Sequence, residues 1–261
     1  MSRNRDMLDC GRGIVRFSHQ GRVRYGLVSG GRLRLYEGSP FSGGQVGKQT
    51  APLNEVRLLA PCRPSKVVAV GLNYKAHAKE VNKALPAEPM IFMKPSTSVI
   101  GPGDKIVRPA ISQRVDHESE LGVVMGRQCR LVGPDEAKDY ILGYTCLNDV
   151  TARDLQARDG QYTRGKGFDT FCPLGPVIAL DLDPTRVQVK AVVNGETRQD
   201  TNTSDMIFDV YQLVSFVSQV MTLKPGDVIA TGTPSGIGPL QAGDVVAIEV
   251  QGVGVLENPV V

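Results

Sequence analysis

Gly13-Ile-Val-Arg-Phe-Ser-His-Gln-Gly-Arg-Val-Arg-Tyr-Gly-Leu-Val-Ser-Gly-Gly-Arg-Leu-Arg-Leu-Tyr36 carries a period-two alternation through three successive runs. Apolar residues recur at Val15 and Phe17, at Val23, Tyr25 and Leu27, and at Leu33 and Leu35, with turn-forming clusters at His19-Gln20-Gly21 and Ser29-Gly30-Gly31 between them. Side chains two apart share one face of a strand, so this stretch predicts a β-meander. Arg12, Arg16, Arg22, Arg24, Arg32 and Arg34 are interleaved with it. Without the aromatic ladder of a single-strand nucleic-acid groove, they read as the wet face of the sheet.

Outward from the meander, residues 38 to 64 read as a loop, with Gly43-Gly44 and three prolines after Thr50, and a domain boundary is expected near residue 62. This divides a small N-terminal β domain, 1–62, from a larger domain, 63–261. In the larger part, strands are expected at 66–70, 90–94, 118–125, 227–231 and 244–250, and helices at 74–81, 134–140 and 206–223. The last helix carries an apolar stripe through Ile207, Val210, Tyr211, Val214, Val217 and Met221 and stops at Lys224-Pro225-Gly226. The expected class is therefore mainly β with some α.

Bulk properties narrow the function. Hydrophobic residues make up 41% and charged residues 22% of 261, with 29 Gly and 17 Pro, which fits a globular chain rich in tight turns. A net charge of +3 is too mild to imply nucleic acid, though it suits anionic metabolites. The five cysteines are odd in number and form no C-x-x-C pair, so neither a disulfide framework nor a zinc site is expected, and a reducing cytoplasm fits. No signal peptide is evident, and no apolar run reaches the roughly 18 residues of a membrane helix, so no membrane partner is expected.

Asp116-His117-Glu118-Ser119-Glu120 opens one of the expected strands. In an unbroken strand Glu118 and Glu120 point together and His117 points away. Two carboxylates buried on one face repel unless a cation or a shared proton compensates. Tyr144-Thr-Cys-Leu-Asn148-Asp149 reads as a further, apolar-leaning strand ending in two polar residues, and Asp149 is a candidate third ligand. Such a set favours a hard ion, Mg²⁺ or Mn²⁺; spacing alone fits a solvated edge strand equally well. His77 and Glu80, three apart on an expected helix, could form a dyad in which the carboxylate orients the imidazole. Lys94, Arg153 and Lys166, the last read as part of a Gly-flanked loop, are the cations expected to meet an anionic substrate. The Gly-rich run Thr231-Gly-Thr-Pro-Ser-Gly-Ile-Gly238 lacks the Gly-Lys-Ser/Thr of a P-loop, so a nucleotide role is not indicated.

Five motifs occur in a fixed order: Val70-Gly-Leu-Asn73-Tyr74-Lys-Ala-His77; Asp116-His-Glu118-Ser-Glu120-Leu121; Asn148-Asp149-Val-Thr-Ala-Arg153-Asp154-Leu-Gln156; Arg164-Gly-Lys166-Gly-Phe168-Asp169-Thr170-Phe-Cys-Pro173-Leu-Gly175-Pro176; and Thr231-Gly-Thr233-Pro234-Ser-Gly236. Together they resemble the fumarylacetoacetate hydrolase superfamily over roughly residues 65 to 255, and the N-terminal meander resembles the smaller domain of its bacterial members. The resemblance implies a mixed β-sandwich roll, metal ligands at Glu118, Glu120 and Asp149, and a homodimer. It also implies a mobile lid carrying His77 and Glu80, Lys166 beside the reacting oxygen, and pocket positions at Gln156 and Thr233. One departure is His117, a position more often aromatic in the family. The implied activity is cleavage of a C–C bond in a small 2-oxo acid (acylpyruvate or fumarylpyruvate hydrolysis, or oxaloacetate decarboxylation), with the metal stabilising a pyruvate enolate. The alternatives are isomerisation or decarboxylation of hydroxymuconate-type diacids in aromatic degradation and, from another class, non-catalytic binding of an oxo acid.

Overall fold

The computed structural model describes residues 3–261. The opening stretch forms the antiparallel strands Arg12–His19, Arg22–Ser29 and Arg32–Glu37. Val15, Phe17, Leu33 and Leu35 enter one hydrophobic core, and Ile14 and Leu27 enter a second on the opposite face, so both sides of the meander are partly covered. Val23 departs from the expected pattern at 54% exposure: it pairs with Ser18 beside the turn, beyond the reach of either core. The 38–64 segment is also more ordered than its composition suggests. Gln45–Ala51 pairs with Arg32–Glu37, and Arg57–Leu59 pairs with Arg12–His19. Gln45–Ala51 is the polar edge strand of its sheet, with no buried residue, and so lacks the alternation by which strands are recognised.

These strands extend a twelve-stranded sheet. Its order runs Gln45–Ala51, Arg32–Glu37, Arg22–Ser29, Arg12–His19, Cys172–Ala179, Ile141–Asn148, Ser119–Met125, Val228–Ala230, Val67–Gly71 and Met90–Lys94, with two short strands paired off this path. Pairing along the path is antiparallel except between Val228–Ala230 and Val67–Gly71. A four-stranded antiparallel sheet, Glu196–Asn202, Gln188–Val193, Val245–Val250 and Gly254–Pro259, contributes Val189, Ala191, Val246, Ile248 and Leu256 to the core that also holds Leu121, Val123 and Cys146 of the large sheet. The architecture is mainly β, as expected.

The helices differ more from expectation. The longest covers Val210–Val220 and starts at a capping box: the Asp209 side chain accepts the N–H groups of Tyr211 and Gln212 while Gln212 accepts the Asp209 N–H. Met206 lies outside it, in a bridge with Tyr74. Of residues 134–140 only Ala137–Tyr140 is helical, as a single 3-10 turn. Arg153–Asp159 and Tyr162–Lys166 are short helices with no apolar stripe to announce them, and Lys166 ends the second as a buried residue instead of sitting in a loop. Among the described residues no helix is long and apolar enough to cross a membrane.

Candidate metal centre and active site

Cross-strand register explains why three carboxylates meet. Ser119–Met125 pairs with Ile141–Asn148 so that Ser119 faces Asn148 and Glu120 faces Leu147, and one step further the Asp149 N–H donates to the Glu118 carbonyl at 2.9 Å. Opposed residues share a face, so Glu118, Glu120 and Asp149 emerge on the same side of this pair. The strand breaks at Glu118, whose N–H donates to Asn148 Oδ1 at 3.0 Å. The three residues are 5%, 1% and 1% exposed, and their donor oxygens lie within 4.8 Å of one another. His117 faces away, with Nδ1 3.2 Å from Gln199 Oε1.

The cations expected around the substrate are bonded to these carboxylates. Lys166 Nζ donates to Glu118 Oε2 at 2.7 Å and Asp149 Oδ2 at 2.6 Å, and stands 5.3 Å from the centre of the Phe92 ring. Burial alone would lower its pKa, but Asp149 and Glu118 outweigh this and hold it as an ammonium above its ordinary value. Arg153 Nη2 donates to Glu118 Oε1 at 2.5 Å, Nε to the buried Asp116 at 2.9 Å and Nη1 to Gln156 Oε1 at 2.7 Å. Burial would raise the Glu118 pKa; Lys166 and then Arg153 bring it down to about 2. Lys94 is fully buried behind the site, donating to Asp149 Oδ1 at 2.5 Å and to the Lys166 carbonyl at 2.6 Å, and is not among the residues lining the cavity.

Glu120 is the exception. Among the described residues it makes no ion pair; its Oε2 accepts the Gly232 N–H at 2.8 Å. Burial, then Asp149 and Glu118, push its carboxyl well above the ordinary range. Gly232 can come this close because it has φ +95° and because a Cβ there would lie 2.7 Å from Asn73 Cβ. A donor set made only of buried carboxylate oxygens, one of them uncompensated, fits a hard divalent cation.

Above this floor lies a cavity of about 350 Å³ lined by Glu118, Asp149, Arg153, Gln156, Lys166, Thr233 and His77, with an apolar wall of Val70, Val81, Pro86, Met90, Phe92, Tyr162 and Ile237. His77 and Glu80 sit on the short helix Lys75–Glu80 with Nδ1 to Oε2 at 2.7 Å, and the other oxygen of Glu80 accepts the Gly236 N–H at 2.9 Å. The dyad is thus tied to the 231–238 loop. Sequence reading missed Asp116, Asn148 and Gln199, which orient the site from behind, and Lys83 and Tyr162, which line the cavity. Asp116 and Asn148 stand inside the quoted motifs and could have been flagged as polar residues in an apolar strand context. Gln199 carries no local signal.

A mainly β sandwich whose strand pair gathers three buried carboxylates, two of them ion-paired and lining a pocket with Lys166 and Arg153, is the framework of an enzyme site compatible with a divalent metal. The comparisons with known proteins make this specific. Residues 66–261 match the fumarylacetoacetate (FAA) hydrolase C-terminal family, and residues 14–61 match the Rv2993c-like N-terminal family. The chain belongs to the fumarylacetoacetate hydrolase family.

It is 47% identical to the crystal structure of 5-carboxymethyl-2-hydroxymuconate delta-isomerase from Mycobacterium smegmatis, with a TM-score of 0.90 over 95% of this chain and 99% of that one. The mitochondrial oxaloacetate tautomerase FAHD2A of Bos taurus is 44% identical over 223 residues, 80% of this chain and 71% of that protein. A maleylpyruvate hydrolase from Sphingobium sp. SYK-6, solved with manganese(II) and pyruvate, is 33% identical with a TM-score of 0.79 over 95% and 98% of the two chains.

Proposed function

We propose that this protein is a Mg²⁺- or Mn²⁺-dependent enzyme that generates the enolate of a small 2-oxo acid by cleaving the adjacent C–C bond. The observation that carries this reading is the juxtaposition of the carboxylate triad with Lys166 and Arg153 at a cavity lined by Glu118, Asp149 and His77, whose ring is bonded to Glu80. Glu118, Glu120 and Asp149 would hold the metal, which when bound supplies Lewis-acid stabilisation of negative charge on substrate oxygens. Lys166 adds a fixed ammonium beside the same oxygens, placed before reaction by its two carboxylate partners. Arg153 and Gln156 orient the acid.

With the Glu80 carboxylate accepting from Nδ1–H, the neutral ring of His77 would present Nε2 as its basic nitrogen. For an acylpyruvate, His77 takes a proton from water as its oxygen attacks the distal carbonyl. The C–C bond then breaks, its electron pair passes to the pyruvate fragment as an enolate, and protonation gives pyruvate plus the acid. Oxaloacetate reaches the same enolate by loss of CO₂ without water attack. The Mn²⁺ and pyruvate held by the Sphingobium hydrolase support this reading.

A second reading, in which the dyad only moves a proton between carbon and oxygen, is favoured by the higher identity to a delta-isomerase and an oxaloacetate tautomerase, 47% and 44% against 33% for the hydrolase. Lys83 lines the cavity and makes no ion pair among the described residues, so it is suited to the second carboxylate of a diacid.

Purified protein with Mg²⁺ or Mn²⁺, assayed against oxaloacetate, acetylpyruvate, fumarylpyruvate and a hydroxymuconate diacid, distinguishes the readings. Metal-dependent release of pyruvate supports cleavage. Loss of enol absorbance without pyruvate supports isomerisation or tautomerisation. Oxalate binding with no turnover on any of the four leaves a binding protein.

A further inference from the structure

Gln199 lies on Glu196–Asn202 in the four-stranded sheet and is 1% exposed, yet its side chain reaches the active-site loops. Both ends of its amide are fixed by backbone groups of unambiguous polarity. Oε1 accepts the Ser119 N–H at 2.9 Å, and Nε2 donates to the Pro234 carbonyl at 2.9 Å. The amide therefore has one permitted orientation.

That orientation dictates the side-chain partners. His117 Nδ1, 3.2 Å from the same Oε1, must carry its proton. Thr233 Oγ1, 2.8 Å from Nε2, must accept. A threonine hydroxyl has one hydrogen; with its oxygen occupied as acceptor by Gln199, that hydrogen is directed elsewhere. No acceptor among the described residues takes it, and Thr233 lines the cavity above Glu118 and Asp149.

We propose that Gln199 is a positioning residue that fixes the Thr233 hydroxyl as a hydrogen-bond donor into the cavity, where it receives a carboxylate or oxo oxygen of the bound acid. This rests on the 2-oxo acid reading and adds to it a polarity: at this point the site takes a group with a free lone pair. Because the same amide also holds Ser119, next to Glu118, it sets the distance between the carboxylate floor and the Thr233 wall.

The test uses the full chain loaded with Mn²⁺, oxalate as the probe, and calorimetric titration at pH 8, where a glutamate replacing Gln199 is favoured as the donorless carboxylate. Thr233→Val, which keeps the shape and removes the hydroxyl, is expected to weaken oxalate about 10- to 100-fold, the range for one hydrogen bond to a charged group. Thr233→Ser should bind within about twofold of wild type. Gln199→Glu, unable to donate from its carboxylate, draws the Thr233 hydrogen back to itself and should lose about as much as Thr233→Val. The double variant should lose no more than either single one. In turnover, KM should rise while kcat changes little.

Mn²⁺ affinity is the control, because it reports the carboxylates and not Thr233. A folded Gln199→Glu that binds oxalate like wild type, losses that add in the double variant, or a fall in Mn²⁺ affinity matching the fall for oxalate would each overturn the proposal. If Gln199→Glu does not fold, the Thr233 pair decides: Thr233→Val binding as tightly as Thr233→Ser overturns it. Absence of oxalate binding by wild type would instead remove the functional reading on which the proposal stands.

Discussion

Replacing Glu120 by Gln should stabilise the metal-free protein while destroying its affinity for metal. Glu120 is 1% exposed, accepts one backbone hydrogen bond and faces Glu118 and Asp149 without a cation of its own, and its carboxyl is pushed well above its ordinary value of 4.5. The sign follows from proton linkage. Above pH 4.5 the unfolded carboxyl loses its proton while the folded one keeps it, so the unfolded state binds fewer protons and stability falls as pH rises. The slope is about 1.4 kcal/mol per pH unit until the folded group also ionises, which amounts to at most about 3.5 kcal/mol at pH 7. Gln keeps the shape and an oxygen for the Gly232 N–H, and carries no charge. Urea denaturation in EDTA at pH 5, 6, 7 and 8 should show wild type losing stability with pH and Glu120→Gln losing less, with the variant the more stable at pH 8. Added Mn²⁺ should reverse the order by stabilising wild type alone. A variant less stable than wild type in EDTA, or one with an unchanged pH slope, would refute the view that Glu120 is held for a cation.

Asp227 is fully buried and accepts from Ser65 N and Oγ, Lys66 N and Nζ, and Lys224 N; Asp227→Ala should cost about 3–5 kcal/mol, read by denaturant midpoint. Burial raises its pKa but Lys66 and Ser65 outweigh it, so the folded value is depressed, and its contribution should be present above pH 3.8 and fade as pH falls below. His77→Ala should slow acylpyruvate hydrolysis on the order of 10²–10⁴-fold while affecting oxaloacetate decarboxylation much less, and equal losses in kcat for both substrates would show that His77 positions substrate instead of activating water. Lys83→Ala should raise KM for a 2-oxo diacid by about tenfold and leave a 2-oxo monoacid unchanged, measured by comparing oxaloacetate with acetylpyruvate.

What the sequence by itself determined is what short-range geometry determines. Alternation of period two marked the strands around Val15 and Leu33, an unbroken apolar run marked the one around Val68, and the period-two rule placed Glu118 and Glu120 on one face with His117 on the other, because neighbouring side chains in a strand have no alternative. His77 and Glu80 were legible as a pair because three residues make nearly one helical turn. The order of five motifs then identified the family. The tertiary structure decided the rest. Asp149 joins the triad only because strands some thirty residues apart pair in the register that sets Glu120 opposite Leu147. Lys94 was expected at the substrate and lies behind Asp149, since the Met90–Lys94 strand runs beside Val67–Gly71 and ends under the site. Gln45–Ala51 gave no signal because an edge strand has no dry face to record. Gln199 gave none because its partners, Ser119 and Pro234, stand 80 and 35 residues away. A hydrogen bond between two sheets leaves no periodicity in either strand, and only their packing brings its atoms together.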